Sequence, residues 1–239
     1  GDLAEIIQRD PAMISDILKM VNSAYYGLPK KVNNIEEAVK MIGLKGVSNL
    51  IVSYSTQNLL KDRYHLEVIE KIMDHSYEVA FYAIELGKYF KIKNVQEDLY
   101  ISGILHDLGK IMVYAIKPDM AKKIKAICKE KGISNTLLEN LTNGYNHAVI
   151  GSKLAEKWNF PEKLVEVLRF HHSPQQASKD YFNLVALVYL ADICYYYAKG
   201  EYFFSEISPY VLKHFKIDYQ EDLEKLFKNL AHKFKTRLK

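Results

Sequence analysis

The sequence predicts an all-α protein, with a smaller N-terminal helical lobe ahead of a larger helical bundle. Three observations predict it. The 239 residues are 49% hydrophobic and 26% charged, the balance of a globular chain that buries a core, so disordered and collagen-like classes are excluded. Only 11 Gly and 6 Pro are present, too few turn-forming residues for the many short strands of a sandwich or barrel of this length. Apolar residues recur at helical spacing between recognisable start and stop signals.

The elements follow in order. Asp10-Pro11 starts a helix, because the Asp side chain accepts from free backbone N–H groups and Pro11 suits the first helical position; it runs to about Val21. Asn22-Ser23 and Gly27-Leu28-Pro29 break it, and Asn33-Asn34 caps a second helix over Ile35 to Ile42, ended by Gly43. Val47, Leu50, Ile51, Tyr54 and Leu59 mark a third helix to about Leu60. Ile69, Ile72, Ser76, Val79, Ala80, Ala83 and Ile84 share one face of the next, which ends near Gly87. Helices are then expected over Glu97 to Ile116, stopped by Pro118, and over Met120 to Lys131, stopped by Gly132. Asn146 to Trp158 and Pro161 to His171 follow. Tyr181 to Ala198 is apolar on nearly every side and reads as a central buried helix. Two amphipathic helices fill Glu206 to Lys239, the last rich in Lys.

Lys61 to His65 is the strongest boundary signal, so we expect a lobe over 1–66, a bundle over 67–200 and C-terminal helices over 201–239. The net charge of +4 is too small to indicate nucleic acid or membrane by itself. Cys128 and Cys194 lie far apart and no secretory leader precedes the first helical pattern, which suits free thiols in a reducing cytoplasm. Leu184 to Cys194, the most apolar stretch, is much shorter than a membrane span and contains Asp192.

Gly103-Ile104-Leu105-His106-Asp107-Leu108-Gly109-Lys110 is the most informative segment. His106 and Asp107 are adjacent among apolar residues, with Lys110 one turn later, and such a cluster is costly to bury unless its members serve one another or an ion. Each further histidine has a plain reading of its own. His75 sits on an apolar stripe as a core histidine would, His147 opens a helix as a cap would, and His171 and His172 end a helix where positive charge suits the dipole. Asp192, amid Leu187, Val188, Leu190, Ala191 and Ile193, is harder to dismiss: a buried carboxylate needs a cation or strong donors. Convergence of five histidines and two aspartates on one site would account for all of them, and imidazole with carboxylate suits Fe, Mn, Zn or Ni better than Ca or Mg. A carboxylate can bridge two such ions, which clamp a phosphoryl group, and Lys110 would neutralise phosphate charge. Spacing alone leaves a metal site and scattered structural roles both open.

The order His75, His106-Asp107, Asp192 resembles the HD phosphohydrolase superfamily, an HD-domain-like helical bundle. His147, the His171-His172 pair and Lys110 resemble the second-metal set of its HD-GYP branch, which hydrolyses cyclic di-GMP. Where that branch has its defining Gly-Tyr-Pro, this chain has Ser173-Pro174-Gln175-Gln176-Ala177, which disfavours a cyclic di-GMP phosphodiesterase. A resemblance over nearly the whole chain is to the HDOD domain. It rests on Asp10-Pro11-Ala12, Val21 to Gly27, Ile35 to Leu44, His75-Ser76, Gly103 to Lys110, His147 to Gly151, Trp158 to Pro161 and His171-His172. In that family a further helix normally lies ahead of Leu3, so the resemblance implies a shortened chain or one without that helix.

The resemblance implies a helical signalling domain of a kind often joined to bacterial receiver, cyclase or phosphodiesterase modules, with signalling protein modules or self-association as its partners. It also implies one or two divalent transition-metal ions. His75, His106, Asp107 and Asp192 would hold one, and Asp107 would bridge to a second on His147, His171 and His172. The competing reading is a metal-dependent phosphohydrolase acting on a nucleotide or phosphoester, with Asp107 and Lys110 as catalytic residues. A DNA-binding helix-turn-helix ranks last, because the candidate recognition helix, Val47 to Tyr54, has no Arg and is mostly apolar. Neither specific DNA nor membrane is expected as a partner. Asn22, Ser23 and Tyr25 are expected to organise the N-terminal lobe and not to act in catalysis.

Overall fold

The computed structural model describes residues 11–22, 26, 28–61, 66–93, 95–132, 134–201, 204 and 207–237, and among them there is no strand. The all-α class is therefore what the sequence predicts. The chain divides into two compact units, Gly1–Arg63 with His232–Lys239, and Tyr64–Ala231.

In the first unit α1 (Pro11–Val21) packs on α2 (Ile35–Lys61). Ile17 and Val21 of α1 and Ala38, Val47 and Leu50 of α2 are buried. Asn22 closes the turn after α1: its side-chain amide donates to the Val32 carbonyl and accepts from the Val32 N–H, both at 2.7 Å. Asn34 then caps α2 by accepting from Glu37 N–H at 2.8 Å, while Glu37 accepts from Asn33 N–H at 2.9 Å. The expected break at Gly43 is present as a kink at φ 74°, ψ 163°, a conformation only glycine adopts without strain. Asp10, Ser23, Tyr25 and residues 62–65, where other expectations fell, lie outside the described residues.

The second unit holds α3 (Leu66–Tyr89), α4 (Gln96–Leu105), α5 (Leu108–Ile116), α6 (Pro118–Lys131), α7 (Asn135–Asn143), α8 (His147–Lys157) and α9 (Glu162–Phe170). A 3₁₀ turn at Pro174–Gln176, α10 (Phe182–Ala198), α11 (Pro209–His214) and the start of α12 (Gln220–Arg237) complete it. α3, α4 and α10 form the core, with Val79, Ala83, Leu86, Leu99, Leu187 and Val188 buried. α10 buries residues on all sides, as its uniformly apolar sequence predicts. Gly103 permits the close α3–α4 crossing, since a Cβ there would lie 2.4 Å from Ala80 Cα. Within this unit Phe215, the residue after α11, packs on Phe90, and Phe227 of α12 packs on Tyr197. No single described helix is long and apolar enough to cross a membrane.

Two elements differ from expectation. The single helix expected over Glu97 to Ile116 is two, because the chain turns at His106-Asp107, where Asp107 has φ −97° and ψ 15°. The turn delivers α5 against α8 so closely that a Cβ on Gly109 would sit 1.9 Å from the His147 carbonyl oxygen. The second difference is α7, between Gly132 and Asn146, where the sequence pattern predicts no helix. It begins after Ser134 and ends on Gly144 at φ 77°, a standard left-handed helix stop.

Candidate metal centre

Five helix ends and faces of the second unit bring the seven ligand candidates together. His75 comes from the middle of α3 and Asp192 from the middle of α10. His106 and Asp107 occupy the α4–α5 turn, His147 is the first residue of α8, and His171-His172 follow α9. His75, His106, Asp107, His147, His171 and Asp192 are buried, and His172 is partly exposed.

The donor atoms fall into two groups. His75, His106 and Asp192 form one, Asp107, His147, His171 and His172 the other, and within each group one ligand atom per residue lies within 4.8 Å of every other. In the first, His75 Nε2 is 3.2 Å from His106 Nε2 and 3.2 Å from Asp192 Oδ1. In the second, His147 Nε2 is 3.0 Å from His172 Nε2. Asp107 faces both. Its Oδ2 lies 3.1 Å from His75 Nε2 and 3.4 Å from His106 Nε2, while its Oδ1 lies 3.4 Å from His147 Nε2 and 3.6 Å from His171 Nε2.

Hydrogen bonds outside the centre set the tautomers. His106 Nδ1 is 2.7 Å from the Gly103 carbonyl, His171 Nδ1 is 3.0 Å from the Leu168 carbonyl, and His147 Nδ1 is 2.7 Å from Glu139 Oε2. Carbonyl and carboxylate oxygens only accept here, so each Nδ1 carries the proton and each Nε2 presents a lone pair inward. Lone pairs pointed at one another and at carboxylates are repulsive unless a cation or a shared proton lies among them. Asp107 Oδ1, Asp192 Oδ1 and His171 Nε2 are buried without a hydrogen bond. Unsatisfied buried acceptors of this kind are costly, and a divalent ion is the partner that fits the donor set.

The protonation states suit the same conclusion. Burial lowers the pKa of His106 and His147, and burial together with His171 lowers that of His172 far more, so these rings are neutral. Burial alone would raise the Asp107 pKa, but Lys110 and His106 hold it well below the usual carboxylate range. Asp192 is likewise depressed against its burial, chiefly by His75. His75 is the exception: burial pushes it down, yet the adjoining carboxylates of Asp107 and Asp192 leave it raised. Lys110 Nζ lies 2.6 Å from Asp107 Oδ2, and this carboxylate outweighs burial and keeps the ammonium charged.

Two further features escaped sequence reasoning. Glu139 of α7 is buried and accepts from both the ring and the backbone N–H of His147. The sequence signal was Asn135 to Asn143 itself, a short amphipathic segment bounded by Ser134 and Gly144. Tyr195 meets the His75 ring edge-on at 4.3 Å, and Tyr196 lies 6.0 Å away.

The HDOD domain profile matches residues 1–174. A protein of Treponema pallidum is 31% identical over 236 residues, 99% of this chain and 46% of that protein. A ribonuclease Y of Geobacter sulfurreducens is 27% identical over 171 residues, 68% of this chain and 26% of that protein. The chain thus spans less than half the length of these curated relatives. Among solved structures, an HDOD domain protein from Geobacter sulfurreducens superposes with a TM-score of 0.73 at 20% identity, covering 97% of this chain and 75% of that one.

Proposed function

The chain belongs to the HDOD domain family, and from that membership and the centre's geometry we propose that it is a bacterial-type signal-transduction domain that holds one or two divalent transition-metal ions and acts through protein partners. The observation that carries the metal reading is the placement of Asp107, with one carboxylate oxygen toward His75 and His106 and the other toward His147 and His171. His75, His106, Asp107 and Asp192 would hold one ion, and Asp107, His147, His171 and His172 a second. Divalent ions there would supply Lewis-acid chemistry, neutralising a phosphoryl oxygen and activating water.

The residues' own contributions are separable. The backbone carbonyls of Gly103 and Leu168 and the carboxylate of Glu139 orient three imidazoles, so the ligand atoms are in place before any ion arrives. Burial excludes bulk water. Lys110 offers positive charge, but it is already paired with Asp107. Among the described residues no other Lys or Arg forms an ion pair with Asp107 or Asp192. The segment after His172 is a short turn in which Pro174 is buried and Gln175 and Gln176 are exposed, with no charged side chain for a substrate. This favours a regulatory output, with contact to signalling modules or to a second copy.

A second reading is supported by Lys110 itself. If a phosphate displaced it from Asp107, the ammonium would meet the phosphoryl charge, and the centre would be a phosphohydrolase acting on a nucleotide or phosphoester. The ribonuclease Y relatives lend it support. Metal analysis of protein purified without chelator, combined with a broad phosphoester hydrolysis screen, separates the readings. A loaded but inert centre supports regulation, and turnover lost in Asp107→Ala supports catalysis. Protein that takes up no transition metal overturns both.

A further inference from the structure

Glu139, the charged side chain of α7, is buried, while Leu137 and Leu141, two residues away on either side and so on the opposite face of the helix, are exposed. A surface helix that turns its carboxylate inward needs a reason, since an ionised group loses hydration there. The reason is at Oε2, which lies 2.7 Å from His147 Nδ1 and 2.8 Å from His147 N. Two N–H groups of one residue donate to one oxygen, so both the start of α8 and the ring orientation of its first residue are tied to α7.

Capping alone does not account for this. Asn146 already caps α8 by accepting from Val149 N–H at 3.0 Å. The ring contact adds what a cap does not require: an ionised acceptor at Nδ1 forces the proton onto that nitrogen and turns the Nε2 lone pair toward Asp107 Oδ1, 3.4 Å away. The other two oriented histidines, His106 and His171, rest on neutral backbone carbonyls. His147 alone among these three rests on a carboxylate, which makes its Nε2 the more basic donor.

We propose that Glu139 is a positioning residue for the His147 group, setting the tautomer and donor strength of His147 and thereby the affinity of the second ion without touching it. The proposal rests on the metal reading above, and its test keeps the two apart. In metal-free wild-type protein, long-range ¹H–¹⁵N spectra of the histidines are expected to show His147 as the neutral Nδ1–H tautomer. An Nε2–H tautomer overturns the proposal whether or not metal binds. Calorimetric titration with Zn²⁺ or Mn²⁺ then compares wild type with Glu139→Gln, Asp192→Ala and His147→Ala. Glu139→Gln is expected to weaken, by at least about ten-fold, the ion that His147→Ala removes, and to spare the ion that Asp192→Ala removes. Unchanged affinity for both ions overturns the proposal. Should Glu139→Gln fail to fold, the wild-type spectrum still decides it, because loss of a mere cap would lower stability without changing a tautomer. A wild-type protein that binds no ion refutes the metal reading, and the His147 tautomer still reports on Glu139.

Discussion

His171 Nε2 lies 3.6 Å from Asp107 Oδ1, and neither atom makes a hydrogen bond although both are buried. Two facing acceptors are unfavourable unless a cation or a proton lies between them, and a divalent ion is the partner that fits the whole donor set. A hundred-fold excess of ion over its Kd is therefore expected to add about 2.7 kcal/mol, or roughly 5–10 °C in Tm for a chain of this size. Thermal unfolding with and without chelator checks this. An unchanged Tm on adding Mn²⁺, Zn²⁺, Fe²⁺ and Ni²⁺ in turn would count against the centre.

Asp107→Ala removes both inward oxygens and should lower the content of both ions. Asp192→Ala should remove only the ion of the His75 group. Lys110→Ala deletes an ammonium that touches only the carboxylate, so metal content should stay nearly intact while inorganic phosphate binding weakens. Metal stoichiometry by mass spectrometry, with phosphate titration, distinguishes the three variants.

Gly109→Ala places a Cβ 1.9 Å from the His147 carbonyl oxygen, which is backbone and cannot step aside. A loss of roughly 1–3 kcal/mol is expected from the forced α5–α8 separation, together with weaker binding at the His147 group. Gly151→Ala meets Gly109 N at 3.1 Å and should be milder. Urea unfolding of the two variants in parallel tests the order.

The two thiols should differ in reactivity. Cys194 is fully buried, and burial first, then Glu78, pushes its pKa well above the usual thiol value, so little thiolate forms. Cys128 is partly exposed and its pKa is raised as well, by burial first. Disulfide-exchange labelling of native protein at pH 8 should modify Cys128 slowly and Cys194 only on unfolding.

Asn22→Ala loses both bonds to the Val32 backbone and leaves that donor and acceptor to find other partners. A destabilisation of about 1–3 kcal/mol is expected, with metal content unchanged. Loss of a hydrolytic activity in this variant at unchanged stability would instead give Asn22 a part in catalysis.

The helical class and most helix bounds were legible because they depend on local facts. Asn34 caps where it stands, Gly43 kinks where it stands, and α10 is buried because no face of it is polar. The stretch from Ser134 to Gly144 is not legible as a helix, since the nine residues of α7 give too little periodicity and its inward residue is a glutamate. A buried charge makes an amphipathic pattern look like a loop.

By itself the sequence determined which residue types lie on inward helix faces, and hence that His75, His106, Asp107, His147, His171, His172 and Asp192 were the candidates worth bringing together. Only the tertiary structure decided how their atoms meet: which nitrogen of each imidazole faces inward, that the two oxygens of Asp107 are divided between two groups, and that Glu139 stands behind His147. The physical reason is that burial follows from periodicity within one helix, whereas a tautomer or a shared carboxylate is set by contacts between helices. Those contacts depend on how closely the helices cross, here through glycines at Gly103 and Gly109.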